Sequence, residues 1–237
     1  MHNNNESLHI KALLSAYREA KEIFNREIAA NIRRVEISLV GLEEAIIQWV
    51  IKNEEIQKEL DNIARILIEK KEVIIYTDSS LVLERKGERE EKKMELGWVI
   101  VDENLRSSSI SFKCRIDNWP SSTRAELGAI WTALLVVPNK ANVKIYSDSK
   151  AAIEGIQNFQ KLMSIRNNFK IKNRTLINQI LDCSNSKKIN LKLIKVKSHS
   201  KDKWNDEADK LAKEGLCSEN LLEVQNVIMG NIGVVPM

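Results

Sequence analysis

Two stretches of the chain read almost alike, IIYTDSS at 74–80 and KIYSDSK at 144–150, and each delivers an aspartate, Asp78 or Asp148, just past a short apolar run. In open α/β sheets, sites are assembled at the carboxyl ends of the strands. An Asp followed by Ser can equally cap a helix, but two such phrases in one domain favour a shared site. Two further carboxylates stand in helical sequence: Glu126, just inside a helix opened by SSTR, and Asp209 in WNDEADKLAKEG, where Asp206 shares its helix face at i, i+3. Singly, each is ordinary, because acidic residues suit the first turns of helices and helix surfaces. Gathered at one sheet edge, four carboxylates would repel one another and raise one another's pKa unless a divalent cation neutralised them. Oxygen-only ligation suits Mg²⁺ or Mn²⁺ rather than zinc. Two such ions roughly 3.5–4 Å apart can activate a water and stabilise the leaving oxygen of an in-line phosphodiester displacement. Metal-dependent phosphodiester hydrolysis is the chemistry this set would support.

The elements that must position these groups begin at Lys71. Strands are expected over Glu72–Thr77, Leu96–Asp102 and Ser108–Ile116, with ERKGEREEKK (84–93), nine charged residues in ten, as a solvated connection between the first two. A helix is expected over Ser121–Val137, stopped by Pro138, followed by a strand at Asn142–Ser147, a helix at Lys150–Phe159, a strand at Asn190–Lys197 and a helix at Trp204–Glu214 before Gly215. The order βββαβαβα defines an α/β domain. Residues 6–70 differ, with one Gly, no Pro and apolar residues at helical spacing, among them Ile10, Leu13, Leu14, Tyr17, Phe24 and Ile28. After Gly41 the series Leu42, Ile46, Trp49, Asn53, Ile56, Leu60, Ile63, Leu67 steps as a heptad seam with one polar member. It reads either as a helical hairpin burying the seam internally or as a coiled coil that self-associates through residues 42–67, with Asn53 fixing register. The expected division is an all-α segment 1–70, an α/β domain 71–215 and a tail 216–237.

The 237 residues carry 37 Lys+Arg against 33 Asp+Glu, with 43% hydrophobic and 30% charged positions, which excludes a disordered or fibrous chain. The longest apolar run, Ala133–Val137, falls far short of the roughly 20 residues that span a bilayer, and MHNNNESLHIK has no signal-peptide core. A soluble, intracellular chain with no membrane partner is expected. Cys114, Cys183 and Cys217 form no CxxC pair, against a zinc site or disulfide framework and in keeping with a reducing compartment. The net charge of +4 conceals a division: residues 161–203 hold twelve Lys/Arg and two acidic residues, net +10. Such a stretch beside a phosphodiesterase site reads as a phosphate track.

Asp78 after the first strand, Glu126 in TRAEL, Asp148 in YSDS, His199 in VKSHS, and Asn205 with Asp209 in NDEADKLA, in that order, resemble type 1 ribonuclease H over roughly Lys71–Gly215. The wording WPSSTRAELGAIWTALLV followed by IYSDS is similar to ribonuclease H domains of fungal non-LTR retrotransposon polyproteins. The resemblance implies an α/β fold with a five-stranded mixed sheet flanked by helices. It also implies endonucleolytic hydrolysis of the RNA strand of RNA/DNA hybrids, leaving 5′-phosphate and 3′-hydroxyl ends. Asp78, Glu126, Asp148 and Asp209 would hold two Mg²⁺ ions, with Mn²⁺ as a substitute, and the family pattern selects Asp209 over Asp206. His199 would assist proton transfer or product release. Ser79, Ser80, Ser121, Ser122, Thr123, Arg124, Ser149 and Asn205 would contact the hybrid, whose shallow minor groove is read through 2′-hydroxyls and phosphates. Lys161, Arg166, Lys170, Lys172 and Arg174 would grip the DNA strand. The rival from another class is a catalytically inactive nucleic-acid-binding remnant, against which the complete carboxylate set argues.

Overall fold

The structure, a computed structural model, describes residues 46–48, 50–86, 89–101, 110–116, 120–161, 172–197, 202–215 and 220–223. All of them fall within one compact unit, Val40–Met237. The helical pattern expected over Ile10–Ile28, and Leu42 and Trp49 of the seam, lie outside the described residues.

Six strands form one mixed sheet: β1 (Glu72–Lys86), β2 (Arg89–Val101), β3 (Ile110–Ile116), β4 (Asn142–Ser147), β5 (Asn190–Lys195) and β6 (Leu221–Leu222), ordered β5-β4-β1-β2-β3-β6. The first three make an antiparallel meander. β4 pairs parallel with β1, and β5 parallel with β4. The five helices are α1 (Glu54–Leu67), α2 (Ser122–Val136), α3 (Lys150–Lys161), α4 (Arg174–Ser186) and α5 (Lys203–Glu214).

The expected count of five strands is corrected to six. β6 comes from the expected tail and pairs parallel with β3 through Arg115↔Leu221 and Ile116↔Leu222. A two-residue strand is too short to show a period, but Leu222 is fully buried in the core. The expected order also lacked α4, whose Leu176, Ile177, Ile180 and Cys183 are buried at helical spacing. The charged stretch 84–93 is no loose connection, since the β1–β2 ladder continues through it as far as Lys86↔Arg89. Within it, Arg85 pairs with its register partner Glu90 at 3.2 Å.

α2 explains how the layers stack. Every residue from Arg124 to Val136 is buried, so it has no solvent face and must lie between layers. It packs on β1 and β2 on one side and on α1 and α4 on the other. Its C-terminus meets Lys187, which is 1% exposed and donates to the carbonyls of Leu135 (2.6 Å), Val137 (2.8 Å) and Leu134 (3.4 Å). A cation there satisfies carbonyls that the helix leaves free and complements its dipole.

Ile56, Leu60, Ile63 and Leu67 of α1 are buried in the same core as the sheet, so these seam residues are covered by the chain itself. Asn53, the polar member of the seam, lies just before the helix. It caps α1, its side-chain oxygen accepting from the amides of Glu55 and Ile56 at 3.0 Å each, because the helix begins at Glu54.

β2 divides the two faces. Met94, Leu96, Trp98 and Ile100 enter the main core, while Val99 packs with Ala208 and Leu211 of α5. Close approach is set by two glycines. A Cβ on Gly97 would stand 2.5 Å from the Ala212 amide nitrogen, and one on Gly128 would stand 2.7 Å from Ile116 Cδ1. α5 is therefore pressed against one face of β2 and α2 against the other.

Candidate active site

The last register pair of the parallel β1–β4 ladder is Thr77↔Ser147. The next residue after each of them is an aspartate, so the pairing itself sets Asp78 and Asp148 side by side at the end of that ladder. Glu126 reaches the same place from α2, whose start is fixed by Ser121: its Oγ accepts from the Arg124 amide at 3.1 Å. One carboxylate oxygen from each of Asp78, Glu126 and Asp148 lies within 4.8 Å of the others. They border an open cleft of about 220 Å³ with Ser79, Ser122, Asn205, Asp206 and Asp209.

Glu126 is held from two sides. Ser79 Oγ donates to its Oε1 at 2.8 Å and Ser147 Oγ to its Oε2 at 3.2 Å. The Ser79 amide donates to Asp78 Oδ1 at 2.7 Å. These bonds only partly offset burial and repulsion. Burial, then the charge of Asp148, pushes Asp78 up to about 7, with Asp209 adding to the rise. Burial, then the charge of Asp78, pushes Glu126 up to about 8. The cluster is short of positive charge.

Asp209 borders the cleft but is not one of the three gathered carboxylates. Lys213, one turn on, binds it at 2.6 Å. Asp206, also on the cleft, is exposed in the first turn of α5. Asn205 is 3% exposed, and its side-chain oxygen has no hydrogen-bond partner. Three close carboxylates, a further carboxylate and an unsatisfied amide oxygen form an all-oxygen donor set, which fits a hard divalent cation.

The serines take different parts. Ser79 anchors Glu126, Ser121 caps α2, and Ser149 caps α3 by accepting from the Ala152 amide at 3.3 Å. Ser122 is exposed on the cleft, Ser80 and Thr123 are half-buried, and Arg124 is buried. Of the eight expected substrate contacts, Ser79, Ser122 and Asn205 border the cleft. Lys161 ends α3, Lys172 is exposed before α4, and Arg174 opens α4 half-buried. His199, Arg166 and Lys170 lie outside the described residues. Sequence reasoning missed Ser147 and Lys213. The first is concealed as the last buried residue of a strand, while the second carried a readable signal in its i, i+4 spacing from Asp209.

A mixed sheet with an antiparallel meander, parallel strands added beside β1, helices on both faces and an acidic cluster at its carboxyl edge defines a ribonuclease H-like fold with a candidate metal centre. Residues 69–217 match the family model "RNase H", and the chain belongs to that family. It is 29% identical over 161 residues to the ribonuclease H of Clostridium botulinum, covering 64% of this chain and 99% of that protein. It is also 29% identical over 154 residues to the ribonuclease H of Wolbachia pipientis wMel, covering 62% of this chain and 97% of that one. The crystal structure of LC9-RNase H1, a type 1 RNase H with the type 2 active-site motif, aligns with a TM-score of 0.48 and 16% identity. That alignment covers 67% of this chain and 79% of the other.

Proposed function

We propose that this protein is a type 1 ribonuclease H that cleaves the RNA strand of RNA/DNA hybrids endonucleolytically. The observation that carries the reading is the convergence of Asp78, Glu126 and Asp148 within 4.8 Å, two of them with carboxyl groups pushed far above the ordinary range by burial and by a neighbouring aspartate's charge. With Asp209 they are the ligands for two Mg²⁺ ions, or Mn²⁺, which when bound supply Lewis acidity for hydrolysis of a phosphodiester. The chain's own groups provide the rest. Ser79 and Ser147 donate to both oxygens of Glu126 and so hold its carboxylate at the cleft. Asn205 offers its oxygen to the cleft, and Ser122 at the cleft mouth is placed to meet a 2′-hydroxyl or phosphate of the hybrid. His199, as an imidazole, suits proton transfer near neutral pH. Lys161, Arg166, Lys170, Lys172 and Arg174 hold the DNA strand by phosphate contacts. The functional unit is residues 71–215 with α1 packed upon it. The wording of residues 119–149 supports a kinship with fungal retrotransposon domains.

Incubation with a labelled RNA/DNA hybrid tests the reading. Mg²⁺-dependent cutting of the RNA strand is expected, and its loss in Asp148→Asn. Absence of metal-dependent cutting at micromolar protein would refute it, and salt-sensitive hybrid binding without cutting would put the inactive remnant in its place. Full activity in Asp209→Asn with loss in Asp206→Asn would move the fourth ligand to Asp206.

A further inference from the structure

Among the described residues, the sheet face on which α5 lies is only half covered. α5 packs on β1, β2 and β3, and among the described residues no helix covers the β4–β5 half of that face. The alternation along β4 is clear: Val143, Ile145 and Ser147 point into the main core, while Asn142 and Lys144 are exposed and Tyr146 half-buried. β5 repeats the pattern, with Leu191 and Leu193 packed against the core and Lys192 exposed. The registers Ile74↔Lys144↔Lys192 and Tyr76↔Tyr146↔Ile194 place two rows across this face. The row nearer the cleft is aromatic and aliphatic, and the Tyr76 and Tyr146 rings stack with centroids 4.6 Å apart. The next row sets two lysines on neighbouring strands.

Those lysines differ from the ion-paired lysines of the surface. Lys52, Lys58, Lys113, Lys150, Lys210 and Lys213 each have a carboxylate partner. Among the described residues Lys144 and Lys192 have none, and they repel each other across the β4–β5 ladder. Lysine is often placed on edge strands to block pairing with other chains. That accounts for a lysine on β5, the sheet's edge, but not for Lys144 on the inner strand β4. Lys144 stands four residues before Asp148, about 13 Å from it at strand spacing.

We propose that this uncovered half-face binds a single nucleic-acid strand continuing from the cleft, with phosphates on Lys144 and Lys192 and bases against Tyr146 and Ile194. Unpaired cations beside apolar side chains match the chemistry of single strands, which offer both phosphates and exposed base faces. A duplex is too stiff to turn from the sheet edge onto its face, whereas a single strand bends freely. The inference rests on the proposed function for the substrate in the cleft but adds a surface outside it.

The test compares the wild type with Lys144→Gln/Lys192→Gln, and with Lys52→Gln/Lys58→Gln as a charge-matched control. Binding of a labelled single-stranded oligonucleotide is followed by fluorescence anisotropy across a salt series, with chelator present so that nothing is cut. Two lost phosphate contacts should flatten the slope of log K against log salt by about 1.4 and weaken binding about 25-fold near 0.1 M salt. The control should behave as the wild type. Equal slopes and affinities in all three proteins, or no binding by the wild type, would overturn the proposal. Cleavage of a blunt hybrid reads the proposed function separately and should be the same in all three. Loss of cleavage in all three with the affinity difference retained sinks the function and keeps the surface.

Discussion

Gly97→Ala tests whether the tight seat of α5 governs the site. The new Cβ would stand 2.5 Å from the Ala212 amide nitrogen, 2.8 Å from the Leu211 carbonyl carbon and 2.9 Å from Leu211 Cβ. Comfortable contact begins near 3.5 Å, so the helix must retreat by about 1 Å. The obstacles are mostly backbone, which cannot swing aside as a side chain can. Overpacking of this kind costs about 1–3 kcal/mol, which for a domain of this size lowers the thermal midpoint by a few degrees. The functional cost should be larger. Gly97 is the register partner of Asp78, and α5 carries Asn205 and Asp209 on the cleft. Misplacing such groups by about 1 Å is worth about 100-fold in rate. Gly128→Ala is the control, because its Cβ would meet only side-chain ends, Ile116 Cδ1 at 2.7 Å and Leu96 Cδ2 at 3.0 Å. Hybrid cleavage under saturating Mg²⁺, read beside thermal unfolding, should show Gly97→Ala folded but about 100-fold slower and Gly128→Ala much less affected. A Gly97→Ala protein that cuts at the wild-type rate would refute the reasoning.

Asp78 and Glu126 have folded pKa values far above their unfolded ones, so without metal the folded state binds more protons, and stability should fall as pH rises from the ordinary carboxylate range through about 7 and about 8. Thermal melts in chelator should show that decline, and Mg²⁺ should reverse it at the alkaline end. A melt independent of pH in chelator would contradict the cluster's repulsion. Lys187→Met leaves the carbonyls closing α2 without their charged donor and should lower unfolding free energy by about 3 kcal/mol in denaturant titration. Asn53→Ala removes the α1 cap and should cost about 1 kcal/mol by the same titration, with hybrid cleavage unchanged.

The site's framework was legible because its signals are local. β4 follows the expected bounds, Asn142–Ser147, since alternation, a preceding Pro–Asn break and a terminal Asp all agree there. The start of α2 was equally plain from its serines. What stayed hidden depends on partners distant in sequence. The charged 84–93 stretch continues the β1–β2 ladder, a register that composition cannot show. β6 owes its place to burial of Leu222. α4 was readable from Leu176, Ile177 and Ile180, but the surrounding basic charge drew the reading toward a track and away from a helix. At the site, strand pairing sets Asp78 beside Asp148, whereas the approach of Glu126 from α2, the tie of Asp209 to Lys213 and the use of Ser79 and Ser147 as props depend on helix placement and side-chain direction.

The enclosure of α2 between the sheet and α1 bears on where this domain can be cut. The family match begins at residue 69, after α1 ends at Leu67. A fragment starting at that boundary would keep every cleft carboxylate yet lose the cover that Ile56, Leu60, Ile63 and Leu67 give to α2 and β3. Burial of those four side chains contributes about 6–12 kcal/mol gross, comparable with the whole net stability of a typical domain. Here the family match and the packed core do not share a boundary, so a fragment begun at residue 69 should melt at a lower temperature than one that includes α1.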